Sequence, residues 1–281
     1  MYHKVFGQRT FSHQTSNNQT IESMTGIITI PLVPLRESDN ERSEMTSQLL
    51  FGECVEILET RERWLLVCNL SDNYSGWVDR KMIQILSKKE ELPMLEKMHN
   101  CVSYPLIECC KVDSDEKIIL PGGSNLFNLE GAELKIDGKS YLINPLDLPY
   151  TEEISGDYLI SLAKRYLNAP YLWGGKTILG IDCSGLVQVV FSICGIQLAR
   201  DASQQVESGI VIDFLSEAKA GDLAFFENAE GKIIHVGILL NSQKIIHASG
   251  WVKIDTLDSQ GIISAQTGEY THKLRVVKRI I

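Results

Sequence analysis

Short apolar runs separated by polar turns fill the first half of the chain, and helical spacing appears only beyond residue 150. Runs at 26–30, 52–58, 64–68 and 76–79 are four of the five short strands expected of a small β-barrel over 25–86. The charged stretch 88–93 predicts a linker or short helix over 87–98. Strand-like runs return at 101–110, 116–120, 132–136 and 139–143, with a Pro121-Gly-Gly-Ser turn and an Asp137-Gly138 hairpin signal, so 99–149 reads as a second small barrel. Ile154, Tyr158, Ala163 and Leu167 mark an amphipathic helix over 154–167. From Cys183 the apolar positions Leu186, Val187, Val190, Phe191 and Cys194 repeat at helical spacing, and Gly195 offers a left-handed stop. Strands are expected at 233–240 and 244–250, then on to Ile281, an α+β order. Residues 1–24 are polar and read as a mobile leader. Met24 is an alternative start, and a trimmed or miscalled export signal is the other reading.

Chemistry concentrates at the start of the second helix. Asp182 and Cys183 stand where free N–H groups and the helix dipole favour negative charge, so the thiol is expected to ionise more easily. A lone cysteine on an apolar helical face is usually core, so the downstream histidines decide the matter. If Asn241-Ser242-Gln243 closes a hairpin, Leu240 faces Lys244, His247 faces Gly237 and His235 faces Ser249. His235 and His247 then project from one face as diagonal neighbours. A nucleophilic cysteine needs a base in reach and a third group to orient that base, and Cys183, His235 and His247 supply the three. Zinc is the competing use of such residues, but no C-x-x-C or H-x-x-x-H pair is present. No cofactor or metal is expected.

Composition narrows the partners. A chain of 281 residues has room for two or three domains, and a net charge of −9 argues against nucleic acid and anionic membrane surfaces. Seven cysteines, an odd number, are scattered through apparent strands and helices. That fits a reducing compartment better than a disulfide framework. No stretch approaches transmembrane length.

The stretches Pro170-Tyr-Leu-Trp-Gly-Gly-Lys, Gly180-Ile-Asp-Cys-Ser-Gly-Leu-Val, Arg200-Asp-Ala-Ser-Gln, Gly221-Asp-Leu, His235-Val-Gly and Ile246-His-Ala-Ser-Gly resemble the NlpC-type, papain-like cell-wall peptidases over about the last 130 residues. The resemblance implies Cys183 as nucleophile, His235 as base and His247 as orienting residue. It also implies that the Tyr171 hydroxyl and the Cys183 N–H hold the oxyanion. Gln48-Leu-Leu-Phe-Gly-Glu, Trp64 and Asp72-Asn-Tyr-Ser-Gly-Trp-Val resemble a bacterial SH3-like domain. The implied fold class is α+β, a papain-like catalytic domain over 150–281 preceded by two small SH3-like β-barrels, the second diverged.

That combination resembles the murein-peptide-recycling branch, the γ-D-glutamyl-L-diamino acid endopeptidases of dipeptidyl-peptidase VI type. In these, the first SH3-like domain closes the far end of the cleft. The branch implies a murein tri- or tetrapeptide with a free N-terminal L-alanine, cut between D-glutamate and meso-diaminopimelate or L-lysine. Asp201, Tyr74 and Glu44 match the residues that read the free amine, and Ser184 and Asp182 are expected at the substrate. A desolvated ammonium needs such carboxylates, because a buried unpaired charge is very costly. A cytoplasmic monomer is expected. Two alternatives stand beside it: an exported autolysin, periplasmic or secreted, with wall-binding SH3-like domains, and a binding module that has lost catalysis.

Overall fold

The computed structural model describes residues 24–86, 101–144 (without 115, 128 and 137) and 153–281. The leader over 1–24 and the linker over 87–98 lie outside the described residues, apart from Met24, which opens the first strand.

The first sheet holds β1 (Met24–Ile27), β2 (Leu32–Arg36), β3 (Met45–Leu50), β4 (Cys54–Thr60), β5 (Trp64–Asn69), β6 (Ser75–Asp79) and β7 (Gln84–Ile85), in the order β3-β2-β6-β5-β4-β1-β7. Seven strands replace the five expected. β2 escapes a pattern reading because Pro34 lies inside it, at a level where β2 pairs β3 and only Arg36 reaches β6. β3 escapes because Ser47 and Gln48 are buried polar residues, turned toward the C-terminal half of the chain. Trp77 is buried as expected of a core aromatic, with the Arg61 guanidinium 4.2 Å above its ring, whereas Trp64 is only half-buried.

A second sheet holds β8 (Leu106–Lys111), β9 (Lys117–Pro121), β10 (Leu129–Glu130), β11 (Glu133–Ile136) and β12 (Lys139–Ile143), in the order β10-β11-β12-β8-β9. The strand expected from 101 begins only at Leu106, just past Pro105; Cys101 makes a single bridge to Asn125. The two N-terminal sheets share apolar packing. Ile28 joins the core inside the first sheet, while its neighbour Ile27 turns the other way, with Phe51 and Cys54, onto Leu120, Leu134 and Tyr141. Phe51 meets Tyr141 edge-on at 5.4 Å.

The C-terminal half starts with the helix Gly156–Lys164, capped by the Ser155 hydroxyl accepting from Tyr158 N–H. It is shorter than the 154–167 expected. Turn bonds carry the chain to Asn168, whose φ of 69° ends the helical path. After the ribbon β13 (Lys176–Thr177) and β14 (Gly180–Ile181) comes the helix Cys183–Ile193, which stops as expected at Gly195 with φ 72°. The short helix Ala202–Gln205 follows.

The last sheet holds β15 (Ile210–Ile212), β16 (Leu223–Glu227), β17 (Ile233–Asn241), β18 (Lys244–Ser249), β19 (Trp251–Leu257), β20 (Gly261–Ile263) and β21 (Tyr270–Arg279). Its order is β15-β21-β16-β17-β18-β19-β20, and a further β20–β21 pairing closes it into a barrel. Alternation sorts its side chains. Leu223, Phe225, Val236, Ile238, Ile246, Ala248 and Val252 pack with the helix Cys183–Ile193, while Ala224, Phe226, Leu239, Ile245 and Leu257 form a separate cluster on the opposite face. Among the described residues no helix is long and apolar enough to cross a membrane.

Candidate active site

Cys183 is the first residue of its helix, 7% exposed, with the backbone N–H groups of Val236 and Ser184 directed at its sulfur. The sulfur therefore lies against the strand that carries His235. The sequence reading expected easier ionisation, and the structure corrects it. Burial pushes the thiol up to about 11, and the Asp182 charge adds to this, against the opposing pull of the two N–H groups and Arg200. A dry site and an adjacent carboxylate outweigh one helix dipole.

Asp182, expected at the substrate, serves here as cap and clamp. One carboxylate oxygen accepts from Gly185 N–H at 2.6 Å and from Arg200 Nη1 at 3.0 Å. The other accepts from Gly174 N–H at 2.8 Å and from Arg200 Nη2 at 2.6 Å. Both oxygens are occupied, so the group fixes the helix start and the Gly174 loop around Cys183. Ser184 belongs to the same network, its hydroxyl accepting from Arg200 Nη1 at 2.9 Å.

The hairpin differs in its turn but not beyond it. Asn241, rather than Leu240, pairs with Lys244, and the register shifts between Leu239 and Asn241. Past this bulge Leu239 faces Ile245 and Ile238 faces Ile246, the offset the sequence required. A Cβ on Gly237 would press on the His247 Cβ, as expected of facing positions. His235 Nε2 and His247 Nδ1 are 2.8 Å apart, and His247 Nε2 is 3.0 Å from the Asp255 Oδ2. His235, His247 and Asp255 therefore descend diagonally across β17, β18 and β19. Burial, followed by the charges of His272, His247 and Lys253, holds His235 well below the ordinary histidine range. Burial opposes ionisation of Asp255, but bonds from His247 and the Ala265 N–H, with the Lys253 charge, bring its carboxyl down to about 2.

A cleft of about 320 Å³ opens beside these groups, lined by Tyr171, Ile234, His235, Ser249, Gly250 and His272 among others. Tyr171 is tied by its N–H to Gly250 O at 2.9 Å. Its hydroxyl is pushed up to about 12, first by burial and then by Cys183, so it stays protonated beside the thiol and able to donate.

At another part of the site the first sheet meets the catalytic half. Tyr74 is presented by a turn in which its N–H bonds Asp72 Oδ1 and Asn73 takes φ 60°. Its hydroxyl lies beside the Asp201 carboxylate and Thr46. Burial, with the negative charge of Asp182, raises Asp201 against the pull of Arg200. Glu44, expected beside this group, is exposed, and its side chain makes no hydrogen bond or ion pair among the described residues. The seam is held by Arg200 Nε to Ser47 Oγ at 2.9 Å, Lys176 Nζ to Glu53 at 2.9 Å and Gln188 Nε2 to Asp72 at 2.8 Å. A Cβ at Gly174 would strike the Met45 carbonyl.

Sequence reasoning missed Asp255, His272 and the structural part of Arg200, which is 1% exposed. The ring of His272 stacks on that of His235.

Comparison with known proteins places this geometry. Residues 168–271 match the NlpC/P60 family, and residues 35–83 match the bacterial dipeptidyl-peptidase SH3 domain. The gamma-D-glutamyl-L-lysine dipeptidyl-peptidase of Bacillus subtilis is 28% identical over 225 residues, covering 72% of this chain and 71% of the relative. Dipeptidyl-peptidase 6 of Lysinibacillus sphaericus is 25% identical over 261 residues, covering 84% of this chain and 93% of the relative. The crystal structure of an NlpC/P60 family protein from Bacillus cereus shares the fold, with a TM-score of 0.75 at 18% identity over 91% of this chain and 99% of that one.

Proposed function

We propose that this chain, an NlpC/P60 cysteine peptidase with an SH3 domain of the dipeptidyl-peptidase kind, hydrolyses cell-wall peptides with a free N-terminal L-alanine at the γ-D-glutamyl bond to a diamino acid. The observation that carries the reading is Tyr74 beside Asp201. A residue from the first sheet's β5–β6 turn stands next to a half-buried carboxylate, a place suited to an ammonium. The relatives' named activity on γ-D-glutamyl-L-lysine supports the same bond.

Chemistry proceeds by acyl transfer. Cys183 Sγ attacks the γ-carbonyl carbon as its proton passes to His235, and the oxyanion is met by the Cys183 N–H and the Tyr171 hydroxyl. The tetrahedral adduct collapses, His235 gives the proton to the departing diamino acid amine, and a γ-glutamyl thioester remains. Water then attacks the thioester, losing a proton to His235, which returns it to the thiolate. Burial raises the thiol and lowers the imidazole, which favours proton transfer that accompanies attack. We assign the enzyme to murein-peptide recycling in the cytoplasm, a setting that suits its seven unpaired cysteines.

The test is incubation with L-Ala-γ-D-Glu-L-Lys, its meso-diaminopimelate counterpart and the N-acetylated form of each, read by mass spectrometry. Release of L-Ala-D-Glu from the free peptides alone is expected. Comparable kcat/KM on acetylated peptides would overturn the reading in favour of an autolysin, because in intact wall that amine is amide-linked.

A further inference from the structure

We infer that Asp255 is a positioning residue that sets, through His247, which nitrogen of His235 is free to take the thiol's proton. A carboxylate can only accept. Asp255 is 1% exposed; its Oδ1 accepts from Ala265 N–H at 2.9 Å and its Oδ2 stands 3.0 Å from His247 Nε2. The hydrogen of a neutral His247 is therefore on Nε2, and its Nδ1 carries a lone pair. That lone pair faces His235 Nε2 at 2.8 Å, so the hydrogen of His235 is also on Nε2. His235 Nδ1 is left bare. The choice of basic nitrogen is thus made two side chains away, by a group that touches neither thiol nor substrate. When His235 takes the thiol's proton, the His247 lone pair and the Asp255 charge behind it stabilise the imidazolium without further proton movement.

Among the described residues no other group next to His247 or His235 makes that choice. Lys253 Nζ lies 3.7 Å from the Asp255 carboxylate and is cationic, so it cannot accept from His247. His272 stacks on the face of His235 rather than bonding its edge, and its own Nδ1 is 2.9 Å from the Thr271 hydroxyl. An amide at 255 cannot replace the acid. Its oxygen can serve either the Ala265 N–H or His247, and the backbone donor is fixed. Asp255→Asn therefore turns an NH₂ toward His247, reverses both rings and places a hydrogen on the nitrogen that should be basic.

Long-range ¹H–¹⁵N spectra of the full chain labelled at histidine report the tautomers directly, without any substrate. In the wild type both His235 and His247 are expected as Nε2–H, and in Asp255→Asn both as Nδ1–H. On the murein peptide, Asp255→Asn is expected to lose about 10³- to 10⁴-fold in kcat with KM little changed. What rate remains should climb about tenfold per pH unit as the thiol ionises unaided. Asp255→Ala, which removes the acceptor without imposing a donor, should keep more activity than the isosteric Asn. A His235 found as Nδ1–H in the wild type would overturn the inference, and so would unchanged tautomers with full activity in Asp255→Asn. If that variant fails to fold, the wild-type spectrum decides alone. The activity arm rests on the proposed substrate, so a wild type that leaves murein peptides intact defeats the proposed function and leaves the spectral test standing.

Discussion

The rings of His235 and His272 stack with centroids 4.1 Å apart and planes 25° from parallel. Two imidazoles in that arrangement cannot both be charged. Burial, and then the charges of His247 and Lys253, bring His272 down to about 4, and His235 is depressed as well. Above pH ~6.5 neither residue binds a proton in the folded or the unfolded chain, so neither affects stability. As pH falls below ~6.5 the unfolded chain takes protons that the folded one refuses, and stability drops. For His272 that loss ends near 4. Melting temperature measured from pH 7.5 to 4 should therefore decline, and His272→Phe, which keeps the stack but not the titration, should flatten the slope. A slope unchanged by that variant would rule out the coupling.

Cys183→Ala should abolish hydrolysis with the fold intact, and the other six cysteines should be dispensable for chemistry. The raised thiol makes a finer forecast. Iodoacetamide alkylation of the free enzyme should accelerate about tenfold per pH unit from 7 to 9, because the thiolate is the reacting form. A rate already level at pH 7 would indicate a preformed thiolate–imidazolium pair.

Asp201→Asn should lower kcat/KM on the free peptide and narrow its advantage over the acetylated one. A site built to pair a polar group rejects the analogue lacking it by about 10⁴-fold. Tyr74→Phe should move in the same direction by less, since it removes a hydroxyl and keeps the wall. Parallel losses on both substrates would instead mean that Asp201 acts only on folding.

Asp182→Ala should cost about 3–5 kcal/mol in chemical denaturation, the range for stranding one partner of a buried pair. Arg200 would be left in the seam without its acceptor, and the catalytic helix would lose its cap.

The sequence carried the diagonal of His235 and His247 because period-two alternation survives a shifted turn: the bulge at Leu240 absorbs the residue by which the turn differs. The same rule, run one strand further across the Ser249–Trp251 pair, would have placed Asp255 diagonal to His247. An acid inside the run 251–257 carries no local sign of burial, because only packing against His247 and Ala265 N–H removes it from water. His272 had no local signal, since only closure of the barrel brings β21 over β17's histidine. The ionisation of Cys183 was misread for a different reason. Helix position is written in the sequence, but burial against a distant strand is not. Strands β2 and β3 were hidden by Pro34 and by Ser47 and Gln48, whose polarity serves the seam rather than water.

That seam has a temporal meaning as well as a spatial one. A ribosome delivers Ser47, Glu53, Asp72 and Tyr74 more than a hundred residues before Cys183, Arg200 and Asp201 emerge. The surface that receives the guanidinium is therefore on hand when the guanidinium first needs shelter, and the thiol comes of age in a cleft already walled on that side.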